Sequence, residues 1–187
     1  MAVGPIDTVI EQYTSHVLDK TQDYAFTPDP AKPIQFTRFQ ILNEKGEVST
    51  YIDRLEDTVF ELEYIVRRKI DGAAVRIMLD GIDGTLICRS ADMDWAPGHY
   101  IVREPGIYRS RVVLPGKILN TGAFQLRLII NKIGVVYDRQ GPFYFDLSDK
   151  GTFFSLGGPR GKARPGLMAP EIVKWETAKV GNGRGDN

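Results

Sequence analysis

From Ile34 to Leu147, apolar and polar residues alternate in short runs that glycine, proline, asparagine and aspartate interrupt at close intervals. A period of two sends successive side chains to opposite faces of an extended strand, whereas a helix needs a period near 3.6. The pattern predicts strands over 34–42, 47–53, 58–68, 73–80, 85–90, 98–103, 107–114, 123–132 and 143–147. Turn signals separate them at Asn43–Gly46, Asp71–Gly72, Gly81–Gly84, Pro105–Gly106, Pro115–Gly116 and Gly141–Pro142. Many short strands with no helix between them specify an all-β fold, an antiparallel β-sandwich.

The same alternation assigns the faces. Phe60, Leu62, Tyr64 and Val66 point inward, as do Val75, Ile77 and Leu79, then Phe124, Leu126, Leu128 and Ile130. Tyr108, Ser110, Val112 and Leu114 follow the same rule. Outward positions carry Glu61, Glu63 and Arg67, then Arg76, Met78 and Asp80, then Gln125, Arg127, Ile129 and Asn131. Arg109 and Arg111 also point out.

Charge separates along the chain. The 187 residues hold 24 basic and 24 acidic side chains, a net charge of zero, which argues against a general nucleic-acid binder. Residues 1–66 hold 5 basic and 12 acidic groups, a balance of −7. Residues 67–127 hold 10 and 6, or +4, and residues 128–187 hold 9 and 6, or +3. Eight of the ten basic residues in the middle block are Arg, which suits planar, directional recognition.

Cys88 is the single cysteine, so neither an internal disulfide nor a Cys-based zinc site is available. No apolar run approaches the ~20 residues of a membrane span, and the first residues lack a signal-peptide pattern. A soluble domain in a reducing compartment is the expectation.

The chemical motifs are weak. GGPRGK at 157–162 has three residues between Gly157 and Gly161, and Ala163 follows Lys162, where a phosphate loop needs four and a hydroxyl residue. A flexible basic loop fits better. Arg184–Gly185–Asp186 sits in a polar tail and reads as coincidence. His16 and His99 are too scattered for a triad or a metal site. The pairs Asp92/Asp94 and Glu61/Glu63 are explained by strand alternation and an exposed loop more simply than by acid–base chemistry. In DMDWAPGHY, Trp95 and Tyr100 offer flat apolar area for a sugar ring or a protein partner, or else cover one end of the sandwich. Arg76, Arg89, Arg109, Arg111 and Arg127 make either a face for anionic or hydroxyl-rich ligands or a solvated strand surface.

The flanks differ from the middle. PIDTVIEQYTSHVL at 5–18 has helical spacing at Ile6, Val9, Ile10, Tyr13 and Val17, with Pro5 suited to a first turn. Residues 19–33 turn polar and carry Pro28, Pro30 and Pro33, a linker pattern. After Ser148 a Gly- and basic-rich loop leads to an apolar segment, Leu167–Trp175, that could fold back or add to a neighbouring molecule.

The order of these pieces resembles a known family. GPIDTVIEQY at 4–13 resembles the stretch that closes the nucleotide-binding domain of polysaccharide-exporting ABC transporters, after which a linker and a β-sandwich follow. RFQILNEKGEV at 38–48 resembles the first hairpin of that sandwich. VLPGKILNTGAFQLRLII at 113–130 resembles its Leu-Asn-x-Gly-aromatic strand start, and GLMAPEIVKW at 166–175 its closing segment. Over roughly residues 4–177 the chain resembles the C-terminal carbohydrate-binding domain of Wzt-like O-antigen ABC transporter ATP-binding subunits.

That resemblance implies an immunoglobulin-like or jelly-roll sandwich over 34–150, after a hinge helix and linker over 1–33. It implies a loop, a C-terminal strand at about 167–177 and a tail over 151–187, with the strand exchanged between the protomers of a homodimer. The implied function is non-catalytic recognition of the non-reducing, often capped end of an O-antigen polysaccharide, which couples chain completion to export. The implied partners are that polysaccharide and, through the full-length subunit, the transporter's membrane subunit. The implied location is the cytoplasm, peripheral at the inner face of the inner membrane. No catalytic residue, metal or cofactor is expected in this stretch; the full-length subunit would be the ATPase.

Binding residues vary with the polysaccharide, so the nominations come from the face assignment. Arg76, Arg89, Arg109, Arg127, Gln125 and Asn131 supply hydrogen bonds if their strands share one sheet, and Trp95 and Tyr100 supply stacking. The alternatives are a dimerisation domain that touches no sugar and a sandwich hydrolase.

Overall fold

A computed structural model of the chain describes residues 22–49, 51–95, 102–148 and 167–168. The helix expected over 5–18 and the C-terminal strand beyond Met168 lie outside the described residues. Among the described residues, eleven strands follow in chain order: β1 (Asp23–Ala25), β2 (Ile34–Leu42), β3 (Tyr51–Asp53), β4 (Thr58–Val66), β5 (Ile70–Asp71), β6 (Ala74–Gly81), β7 (Leu86–Ala91), β8 (Val102–Arg103), β9 (Gly106–Leu114), β10 (Gly122–Lys132) and β11 (Val135–Ser148). A single helical turn, α1 (Asp92–Trp95), lies between β7 and β8.

The strands form a four-stranded sheet, β1-β2-β4-β9, and a five-stranded sheet, β3-β11-β10-β6-β7, with β5 and β8 pairing apart. The all-β sandwich expected from the alternation is what the chain forms. Every inward residue assigned on β4, β6 and β10 is buried, from Phe60 to Ile130. Aromatic rings fill the space between the sheets. Phe39 of the four-stranded sheet meets Phe143 of the other at 4.6 Å, and Phe60 meets Phe145 at 5.5 Å. Burial of such rings, each removing a large apolar area from water, is the main drive for the two sheets to close.

On β2 the inward residues run Ile34, Phe36, Phe39 and Ile41, an odd step from 36 to 39 that only an extra residue can accommodate. The register with β4 shifts between Phe36 and Arg38, so the strand bulges at Thr37 and both halves keep their apolar side inward.

Four expectations need correction. The linker over 19–33 belongs to the sandwich from Gln22 on: β1 pairs with β2, and Tyr24 and Phe26 pack on the core. Gln35 holds the following turn by accepting from Asp29 N at 2.8 Å and donating to Thr27 O at 2.7 Å. A strand of three residues is too short to leave a period of two in the sequence. The second correction is β3. Val48 bridges Leu42 as the expected hairpin requires, but the chain then crosses to the other sheet and joins β11 in parallel. Third, the strand expected at 143–147 starts at Val135.

The fourth concerns β9. Its parity holds, but Tyr108, Ser110, Val112 and Leu114 are only half-buried. Among the described residues, β9 and β7 are edges of their respective sheets. Between them the sandwich is open as a cleft of about 620 Å3 lined by Leu62, Tyr64, Ile77, Ser110 and Val112.

The turn from β9 to β10 rests on the loop before β4. Lys117 N donates to Arg54 O at 2.7 Å, and a Cβ on Gly116 would fall on the Leu55 carbonyl. Leu167 and Met168 dock beside this turn, where Asn120 N donates to Leu167 O at 2.9 Å and Leu119 bridges Met168.

Candidate ligand groove on the five-stranded sheet

Residues paired across antiparallel strands share a face, so the registers define the outer surface of the five-stranded sheet. One row across it reads Arg139 on β11, Ile129 on β10 and Arg76 on β6. The next reads Arg127 on β10, Met78 on β6 and Arg89 on β7. Neighbouring strands lie roughly 4.8 Å apart and alternate residues on one strand roughly 6.8 Å apart. The four arginine stems therefore form a checkerboard whose gaps are filled by Ile129 and Met78. These six residues, with Asn131 and Val136, line a groove of about 370 Å3.

Within the groove the arginines are not equivalent. Arg127 donates twice to Asp80 Oδ2, from Nε at 3.0 Å and Nη2 at 2.7 Å. Asp80 is 1% exposed although it faces outward, because the Arg127 guanidinium lies against it and Gln125 flanks it. Its Oδ1 makes no hydrogen bond among the described residues. Arg76 Nε donates to Asn131 Oδ1 at 2.9 Å, a neutral acceptor. Arg89 and Arg139 are exposed, and among the described residues no carboxylate forms an ion pair with either.

Five nominated residues thus share the sheet: Arg76, Arg89, Arg127 and Asn131 line the groove, and Gln125 lies one row along beside Asp80. Arg109 does not join them. It projects from β9 on the four-stranded sheet, which refutes the premise of one shared sheet for this residue. There Glu63 accepts from Arg109 Nη2 at 2.6 Å, and Glu61 lies 3.7 Å from Nε. These carboxylates hold the Arg109 guanidinium above its usual range, with Glu63 the larger cause. Asp23 likewise pairs with Arg38 at 2.6 Å on that surface. The outer face of the four-stranded sheet is therefore charge-matched. The side chain of Trp95, and Tyr100 as a whole, lie outside the described residues.

The acidic pairs have structural roles. Asp92 takes the buried Arg103 guanidinium and the Val75 N–H, and Asp94 accepts from Ala91 N at 2.7 Å. Glu61 and Glu63 belong to the ion pairs of Arg109.

Four groove residues escaped nomination: Met78, Ile129, Val136 and Arg139. Alternation does place Met78 and Ile129 on the outer face. Arg139 and Val136 precede the strand start expected at 143. The register of β11 with β10 shifts between Leu126 and Leu128, opposite Gly141, whose φ of +100° reverses the alternation. A bulge at Gly141–Pro142 within one long strand accounts for Arg139, and Val136 needs a second register shift, opposite Ile130–Asn131.

Two packed sheets with a guanidinium-lined groove on the outside of one define a β-sandwich domain whose candidate site is a sheet face rather than a loop cluster. Among solved structures, the crystal structure of the C-terminal domain of wzt is similar, with a TM-score of 0.63 over 86% of this chain and 90% of that chain, at 12% sequence identity. The chain shares the fold of that domain. No protein-family model and no curated protein sequence matches it. Among the described residues, no helix is long and apolar enough to cross a membrane.

Proposed function

We propose that this domain is a non-catalytic carbohydrate-binding module that takes the non-reducing end of an O-antigen polysaccharide in the groove of the five-stranded sheet. The observation that carries the reading is the groove's composition. An apolar floor of Ile129 and Met78 suits the C–H face of a sugar ring, and a rim of guanidiniums and an amide suits its oxygens. A groove of about 370 Å3 is in the range of small-ligand sites. The likeness in fold to the C-terminal domain of wzt and the sequence resemblance to O-antigen transporter subunits support the polysaccharide as ligand. In a longer subunit, the bound end would signal to an ATPase that the chain is complete and ready for export at the cytoplasmic face of the membrane.

The test is an NMR titration of the full chain with O-polysaccharide purified from the cell that makes it. Saturating shifts on Arg76, Met78, Arg89, Arg127 and Ile129 are expected. Shifts that avoid the five-stranded sheet, or none at saturation, would overturn the reading.

The competing reading, a dimerisation domain without glycan contact, draws on β7 and β9, which are sheet edges among the described residues, and on the cleft between them. The two are compatible, and homodimerisation through the segment after Met168 is part of the proposal. Deleting residues 169–187 is expected to halve the mass seen by light scattering; an unchanged dimer would remove that segment from the interface.

A further inference from the structure

We propose that the groove selects an acidic saccharide, one whose carboxylate or phosphate group sits among Arg76, Arg89 and Arg139. The inference rests on the glycan-binding reading and names the chemical class of that glycan.

The argument is one of charge matching. Four guanidiniums line the groove, and Asp80 neutralises one of them. Arg76 is held by an amide, and Arg89 and Arg139 form no ion pair among the described residues, so three positive charges stand uncompensated. Asp146, another carboxylate on this outer face, pairs in register with Ala123, beyond the Gln125 row. On the opposite sheet carboxylates stand beside the arginines: Arg38 and Arg109 each lie on one from a neighbouring strand, and Arg111 is in register with Glu61. Like charges within roughly 10 Å repel, and a pair of apolar neighbours lowers the local dielectric and sharpens that repulsion. An anion relieves it.

The spacing also discriminates. Arg139 and Arg76 flank Ile129, and Arg127 and Arg89 flank Met78, each pair two strands or roughly 10 Å apart. That span exceeds one carboxylate or phosphate and fits an anionic group carried on a sugar ring. The ring lies on Ile129 and Met78, and its charged substituent meets a guanidinium at the edge. Guanidinium forks bind carboxylate and phosphate oxygens bidentately, so both anion types fit.

Calorimetry and NMR on the full chain test this with four probes: a glucuronic-acid-terminated disaccharide, a hexose 6-phosphate, the matched neutral sugars and inorganic phosphate. The acidic sugars are expected to bind about tenfold or more tightly than the neutral ones. That margin should shrink when sodium chloride rises from about 50 to about 500 mM. Whichever acidic sugar binds better identifies the anion. The double variant R89Q/R139Q removes two exposed charges without uncovering Asp80. It is expected to lose the acidic preference, so that acidic and matched neutral sugars bind alike, and to melt as the parent does.

Equal, salt-insensitive binding of acidic and neutral sugars in the groove, unaffected by R89Q/R139Q, would overturn the acidic preference and leave the glycan reading standing. Binding of inorganic phosphate as tightly as of any sugar would instead overturn the saccharide and leave an anion site. No shift in the groove with any probe would overturn both.

Discussion

Arg103 extends from β8 beneath the ring of Tyr64, with no solvent exposure of its side chain. Its Nη1 donates to the Tyr64 hydroxyl at 2.7 Å, its Nε to the Ala73 carbonyl at 3.1 Å, and its Nη2 pairs with Asp92. Each donor direction meets an acceptor from a different element, so this one side chain ties β8, β4 and α1 together. Desolvating a charge is tolerable only while its partners remain, and Asp92 would lose its ion pair if the guanidinium were removed. Arg103→Met is therefore expected to cost about 3 kcal/mol of stability, read as a lower urea midpoint; a loss under about 1 kcal/mol would show the network to be dispensable. Nothing in the sequence marks Arg103 apart from the other arginines. Its strand is two residues long, and its burial depends on three segments distant in the chain.

Strands differ in how openly the sequence declares them. β4 and β10 alternate without a break, and their faces were legible residue by residue. β11 alternates too, but the bulge opposite Gly141 flips its phase, so its first half, with Arg139, was not legible as the same strand. β9 was read correctly in phase and wrongly in company. Alternation says which side of a strand is wet, and it does not say which sheet the strand joins. Arg109 therefore serves as the control for the groove. Arg109→Ala is expected to leave saccharide affinity and the thermal midpoint essentially unchanged, since the exposed pairs with Glu63 and Glu61 are weak in water. A clear loss of affinity in calorimetry would put the binding face on the other sheet.

The pH response of the whole domain should carry the signature of Asp146. Partial burial on the five-stranded sheet raises its carboxyl from 3.8 to about 6, against a smaller opposing effect of a hydrogen bond involving the Leu147 backbone. Between those values the folded chain holds the proton more tightly than the unfolded chain. This group's contribution to stability therefore falls as pH rises through that window, then stays level. With solvent reaching part of the carboxyl, the cost at neutral pH is about 1–2 kcal/mol. Asp146→Asn is expected to gain that amount over the parent near pH 7 but not near pH 4, in paired urea melts. An equal difference at both pH values would contradict it. At this scale the sequence alone determined the all-β class, most strand positions and the inward rows, because a period of two is a local property that burial must respect. Tertiary structure alone decided which strands are neighbours: it separated Arg109 from Arg76, Arg89 and Arg127, and it brought Arg139 to their side. Sheet order arises from non-local pairing between segments far apart in the chain, and no short-range pattern encodes it.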